Sequence, residues 1–292
     1  MRKSGCIRKL FVFLQPVIFM LFILGSVILT VIPTDSFAQG NLLIMPRRVI
    51  FEGAKKSADL IVANTGTDTA KYVVTIVQMR MKSDGSFEQI TTPDSGQFFA
   101  DKYIRYFPRT VSLAPNESQT VKMQLIKADK LNPGEYRSHI YFRSVPKVTP
   151  LGEEVKPLDT NQLFVRLVPV FGITIPVIIH VGETSAKVTL SDLELLKVND
   201  TTTRIKMRCN RTGNISVYGD ITVDYISPQG KVLHMANAKG VAIYTPNTYR
   251  YFECNLDKVP GADVHKGKIL VTYISQSELK TSKLGEAELL LH

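Results

Sequence analysis

Residues able to do chemistry are sparse in this chain, and they do not gather. The five histidines, His139, His180, His234, His265 and His292, show no metal-ligand spacing to one another, to a cysteine or to a carboxylate. There is no glycine-rich phosphate loop and no Gly-x-Ser-x-Gly elbow. Asp192 and Glu194 stand two apart on an expected strand and so share a face, as a carboxylate pair does. An exposed strand face is the commoner origin of that spacing. His139 falls mid-strand and reads as a packed or half-exposed strand residue. Of the three cysteines, Cys6 lies in an N-terminal leader. Cys209 and Cys254 are the pair expected to form a disulfide, because two cysteines in an oxidising compartment ordinarily pair. Two buried free thiols are the alternative. No catalytic residue, metal or cofactor is assigned, and the chain is read as a binding protein, not an enzyme.

Without catalytic chemistry, the question becomes which elements position a binding surface. The first 38 residues stand apart. Arg2, Lys3, Arg8 and Lys9 make a positive start, an apolar run follows from Leu10 to about Ile32, and Ser36-Phe37-Ala38 supplies small residues for cleavage before Gln39. This is a secretory signal; the alternative is a retained membrane anchor, since the apolar run is long enough to span a bilayer. Either way the remainder is expected outside the cytoplasm, in the periplasm. The formal charge of +10 forms no lysine–arginine run, which argues against nucleic-acid binding.

After the leader the pattern is short alternating segments and turn signals, with no convincing long helix. Strands are expected over residues 44–51, 57–64, 72–81, 104–113, 120–126, 136–145 and 162–181. Ser83-Asp84-Gly85-Ser86 marks a hairpin, because Asp-Gly tolerates the positive φ of tight turns. After Gly182-Glu183-Thr184-Ser185 the pattern restarts, with strands over residues 187–198, 204–209, 218–226, 231–235, 241–244, 249–255, 268–275 and 287–291. The expected fold is all-β, with two immunoglobulin-like β-sandwich domains, residues 39–182 and 183–292. Cys209 falls on the second-domain strand over residues 204–209 and Cys254 on the one over residues 249–255, strands expected to be neighbours as in many such sandwiches.

Three stretches of the first domain carry a resemblance. Arg48-Val49-Ile50-Phe51-Glu52-Gly53 places an arginine before an apolar pair. Arg109 to Lys122 contains Leu113-Ala114-Pro115-Asn116-Glu117-Ser118-Gln119, a turn in which Asn116 stands where glycine is commoner; asparagine also tolerates the left-handed conformation. Tyr136 to Pro146 ends in the proline that opens a loop. Together they resemble the PapD-like periplasmic chaperones of the chaperone–usher pilus pathway, through most of residues 42–180. The second domain fits by architecture and position alone.

The resemblance implies a chaperone that caps secreted pilus or fimbrial subunits by donating an edge strand, with an outer-membrane usher as a further partner and no nucleic acid or small-molecule substrate. Backbone bonds give such a complex affinity, and alternate side chains fill the partner's pockets. The donating strand maps onto Gln162 to Phe171, with Leu163, Val165 and Leu167 on the subunit-binding side and Phe164, Arg166 and Val168 on the other. The family anchors the subunit's terminal carboxylate with two cations. The first maps onto Arg48, whose fork suits a carboxylate. The second, a lysine late in the seventh strand, falls on Val170, Phe171 or Gly172. No lysine or arginine lies between Val168 and His180, and Pro169 removes a backbone donor. Arg47 and Arg166 are the secondary candidates. The chain therefore reads as a divergent member. The alternative is an envelope-anchored structural or adhesive protein of two sandwiches.

Overall fold

The computed structural model describes residues 42–146, 170–199, 201–263, 265–275 and 282–291. Leader residues 1–38 and most of the expected donor segment lie outside them. Among the described residues the secondary structure is seventeen strands and two short 3-10 turns. Gly40–His292 form one unit.

Prolines divide what looked like single strands. The apolar run at residues 44–51 is two strands, β1 (Leu42–Met45) and β2 (Val49–Phe51). Pro46 has no amide hydrogen to give to a ladder and its φ is fixed, so pairing stops there. Residues 104–113 likewise divide into β6 (Ile104–Phe107) and β7 (Thr110–Leu113) at Pro108. In both cases the chain crosses to the opposite sheet. Between them run β3 (Ser57–Asn64), β4 (Ala70–Met81) and β5 (Phe87–Ile90), with β4 and β5 joined at the expected hairpin. There Gly85 has φ +86 and Asp84 accepts a hydrogen bond from the Ser86 amide at 2.8 Å. Then follow β8 (Ser118–Leu125), β9 (Gly134–Ser144) and β10 (Gly172–Val181). Asn116, in the turn before β8, takes the left-handed conformation with φ +60.

These strands make two facing sheets, one ordered β1-β3-β8-β6 and the other β2-β10-β9-β4-β5, with β7 also on β4. In chain order that is the immunoglobulin arrangement, with the first strand shared between both sheets. Alternation supplies the core: Leu60 and Val62 from β3, Val121 and Met123 from β8, Ile140 and Phe142 from β9 and Val177 and Ile179 from β10 all point into it.

The second sandwich contains β11 (Ala186–Lys197), β12 (Thr203–Gly213), β13 (Val217–Ile226), β14 (Val232–Ile243), β15 (Tyr249–Leu256), β16 (Gly267–Ser275) and β17 (Lys283–Leu291). Its sheets are β11-β12-β15 and β14-β13-β16-β17. It has its own core, built around Ile205, Met207, Ile221, Val223, Tyr225, Val271 and Tyr273. Two strands expected at residues 231–235 and 241–244 are one, β14, which stays paired with β13 through two register shifts. Asp192 sits at a bulge in β11 with φ +54, and both it and Glu194 are exposed.

The expected disulfide is not formed: Cys209 and Cys254 are both free thiols. They do lie on neighbouring strands, β12 and β15, but Cys209 is opposite Arg250 while Cys254 is opposite Ile205. Four residues of offset at ~3.3 Å each separate the thiols by about 13 Å along the strand, far beyond the reach of a disulfide.

Candidate binding site at the open edge and the interdomain joint

The site is built from three strands of the first sandwich and what covers them. On β9 alternate residues point outward from the core, and three of these are Glu135, Arg137 and His139. On an uncovered sheet they would be solvated, yet they are 3%, 2% and 3% exposed. The second sandwich covers them. A small apolar cluster of Met81, Ile178, Ala242 and Tyr244, with Ile50 and Tyr218 packed on it, draws on both sandwiches and seals this joint.

Burying charge is costly unless each group finds partners. The Glu135 carboxylate finds four. Its Oε2 accepts from the Ser216 amide at 2.6 Å, its Oε1 accepts from the Thr245 hydroxyl at 2.8 Å and from the Ser216 hydroxyl, and His180 Nε2 lies 3.4 Å from Oε2. His180 is directly across from Glu135 on β10, and its Nδ1 meets Glu52 at 3.2 Å. Burial alone would raise the Glu135 carboxyl, but hydrogen bonds from His180, Ser216 and Thr245 outweigh it and hold the group below its ordinary value. Burial also opposes charge on His180, and the two carboxylates reverse that, so its imidazole is raised. Arg137 donates to the carbonyls of Met79 at 3.3 Å and Thr245 at 3.1 Å, with its guanidinium 4.4 Å from the centre of the Tyr244 ring. His139 has no such compensation. Burial, with Arg137 nearby, pushes it down to about 3, so it is held neutral. The β4–β5 hairpin adds to the joint: the Tyr251 amide donates to the Ser83 carbonyl at 2.7 Å and the Asn247 side chain to the Met81 carbonyl at 2.8 Å.

Beside this joint the sheet has an unfilled edge. β2 pairs with β10 in parallel, but only over Val177 to Ile179. Among the described residues, Gly172 to Pro176 have no strand on that side. The Ser144 amide donates to the Phe171 carbonyl at 2.8 Å. Antiparallel pairing alternates, so Gly172, Thr174 and Pro176 turn their backbone groups away from β9 and toward the open side. Gly172 and Thr174 offer both donor and acceptor there. Pro176 offers only its carbonyl, which is why it can occupy this position without breaking the β9 ladder.

Arg48 immediately precedes β2. Val49 is in register with Val177, so Arg48 is level with Pro176 at the mouth of the open edge. It is half-buried, and its guanidinium lies 4.0 Å from the centre of the Tyr218 ring, which belongs to β13 of the second sandwich. Arg47 is exposed. Arg166, Leu163, Val165 and Leu167 lie outside the described residues. A side chain at Gly172 would require the Tyr141 ring to move aside, because a Cβ there would meet that ring.

No family model matches the chain, and no curated protein matches it. Solved structures do. The chain is similar to chaperones of pilus assembly. The YadV chaperone aligns with a TM-score of 0.43 and 13% identity, over 86% of this chain and 100% of that one. The CsuC–CsuE chaperone–tip adhesion subunit complex from Acinetobacter baumannii aligns at 0.40 and 11%, over 72% and 89%. The CupB2 chaperone of Pseudomonas aeruginosa aligns at 0.39 and 13%, over 85% and 98%.

Sequence reasoning singled out Arg48, which lies beside the open edge, and did not single out Glu135, His180, Ser216, Thr245 or Tyr218. On β9 the available signal was a charged residue at every second position beside an apolar set, which is also the pattern of any solvated strand face.

Proposed function

We propose that the chain is an exported chaperone that holds a β-rich secreted subunit by strand addition along the open edge of β10. The observation that carries this reading is the coincidence of that edge with Arg48 at its end. A guest strand paired to Gly172 and Thr174 and continuing beside residues 162–171 has its terminal carboxylate at Arg48 only if it runs parallel to β10, as β2 does. The guest then occupies the lane that β1 would fill if the chain ran straight into β2 instead of changing sheets at Pro46. Backbone groups give affinity, and Leu163, Val165 and Leu167 fill the guest's pockets. The resemblance of Arg48 to Gly53, Arg109 to Lys122 and Tyr136 to Pro146 to the pilus chaperones supports the same reading, with pilus or fimbrial subunits as the guests and an outer-membrane usher as a further partner. In this reading the leader of residues 1–38 delivers the chain to the periplasm, and the work done is binding, not catalysis.

The test is co-expression with pilin-like β-subunits, comparing the wild type with Arg48→Ala. Arg48→Ala is expected to lower the recovered complex by about ten-fold or more, as for loss of a charged hydrogen-bonded anchor. No complex with the wild type would refute the chaperone reading. Undiminished complex with Arg48→Ala would remove the carboxylate anchor and leave strand addition standing.

A further inference from the structure

If a guest carboxylate reaches Arg48, as the proposed function holds, one cation has to fix it where two donors are wanted, because β10 carries no lysine or arginine ahead of His180. The second sandwich supplies a different donor at the same place. Tyr218 faces outward from β13, opposite Ala242 on β14, and packs on the joint cluster with Ile50. Its ring supports the Arg48 guanidinium from 4.0 Å. Its hydroxyl makes no hydrogen bond among the described residues, although a tyrosine hydroxyl held against protein ordinarily finds a partner. Gly240 has φ +72, and a Cβ there would stand 2.7 Å from Tyr218 Oη.

We propose that Tyr218 is the second donor of the anchor: its hydroxyl gives a hydrogen bond to one oxygen of the guest's terminal carboxylate while Arg48 takes the other. The ring supports the guanidinium from 4.0 Å, and the hydroxyl is at the ring's edge. The ligand class is a polypeptide ending in a free α-carboxylate after strand-forming residues. Because Arg48 belongs to the first sandwich and Tyr218 to the second, the carboxylate is bound by both sandwiches together.

The test uses the full chain without its leader, and a fluorescently labelled synthetic peptide of alternating valine and threonine, once with a free C-terminal carboxylate and once amidated. Affinities are read by anisotropy. The wild type is expected to prefer the free acid. Tyr218→Phe keeps the ring under Arg48 and removes only the hydroxyl. It is expected to weaken the free acid about ten-fold, the scale of one hydrogen bond to a charged group, and to leave the amide unchanged. Arg48→Ala is expected to abolish the preference for the acid. An unchanged acid affinity in Tyr218→Phe, with a loss in Arg48→Ala, would overturn the role of Tyr218 and leave the proposed function intact. Failure of both peptides to bind the wild type would overturn the open-edge reading itself. An equal loss of acid and amide in Tyr218→Phe would show that the hydroxyl does not distinguish a carboxylate from a neutral carbonyl, and would also overturn the proposal.

Discussion

Replacing Glu135 with alanine tests whether the buried carboxylate fastens the two sandwiches. The substitution removes the acceptor of the Ser216 amide, the Ser216 hydroxyl and the Thr245 hydroxyl, and it strips His180 of the carboxylate opposite it. Each buried donor left without a partner costs about 1–3 kcal/mol, and breaking a buried ion pair costs about 3–5 kcal/mol in total once the structure relaxes. Glu135→Ala is therefore expected to lower the unfolding free energy by about 3–5 kcal/mol in urea titrations. Glu135→Gln, which keeps one acceptor oxygen and the shape, is expected to lose roughly half of that. The loss also depends on pH in a definite direction. The Glu135 carboxyl is held below its ordinary 4.5, so its contribution is complete above that pH and disappears as the pH falls through the lowered value. The His180 imidazole is raised above its ordinary 6.5, so its contribution is complete below that pH and disappears as the pH rises through the raised value. The difference between wild type and Glu135→Ala should thus be widest at about pH 5–6 and narrower in alkali. A loss below about 1 kcal/mol would refute the fastening role. A loss of equal size at about pH 5.5 and in alkali would refute His180 as the charged partner.

His139 predicts the pH behaviour opposite to that of His180. Burial and Arg137 hold it at about 3, so the folded imidazole stays neutral while the unfolded one takes a proton below 6.5. Stability should fall with falling pH between these values by up to about 1.4 kcal/mol per unit from this residue, and His139→Phe should remove that slope in urea titrations compared at acid and neutral pH. The thiols give another check. Alkylation of unfolded, unreduced protein followed by mass mapping should label both Cys209 and Cys254, and reductant should leave the melting temperature unchanged. A bridged Cys209–Cys254 peptide would contradict the register of β12 and β15. In the native state Cys209 should react far more slowly than a free thiol in water, since burial pushes it up to about 12.

The strands and turns were legible because their signal is local. Period-2 alternation marks β3 and β8, and Asp84-Gly85 and Asn116 mark turns by the φ they permit. What was not legible is what depends on partners far along the chain. Pro46 and Pro108 sit inside apolar runs that continue on either side, so alternation alone reads through them; only the switch of sheet shows that each run is two strands. The cysteines were placed on the right strands, but register is set by the whole ladder, and four residues of offset decide whether a disulfide forms. Glu135, Arg137 and His139 carry the pattern of a solvated face, and nothing local says that a second sandwich lies on it. Arg48 was singled out by its motif, whereas Tyr218, its neighbour in space, is 170 residues away and belongs to a sandwich with no motif at all.

The interdomain joint and the open edge are two consequences of how β10 is used along its length. From Val177 onward it is closed by β2, and its outward residues Ile178 and His180 lie in the joint with the second sandwich. Before Val177 the same edge is unpaired among the described residues and its outward residues are Gly172, Thr174 and Pro176. Pro176 stands at the division. It gives no donor to the open side, so added pairing weakens as a guest approaches it, and there Arg48 stands, level with Pro176. A backbone lane that loses a donor at its end therefore gains a guanidinium at the same level, which suits a chain that ends in a carboxylate and suits a continuing strand poorly. The position of Arg48 depends in turn on Tyr218, whose sandwich is held in place by Ser216 and Thr245 on Glu135. The charges buried in the joint thus bear on the geometry of the open edge without touching whatever binds there.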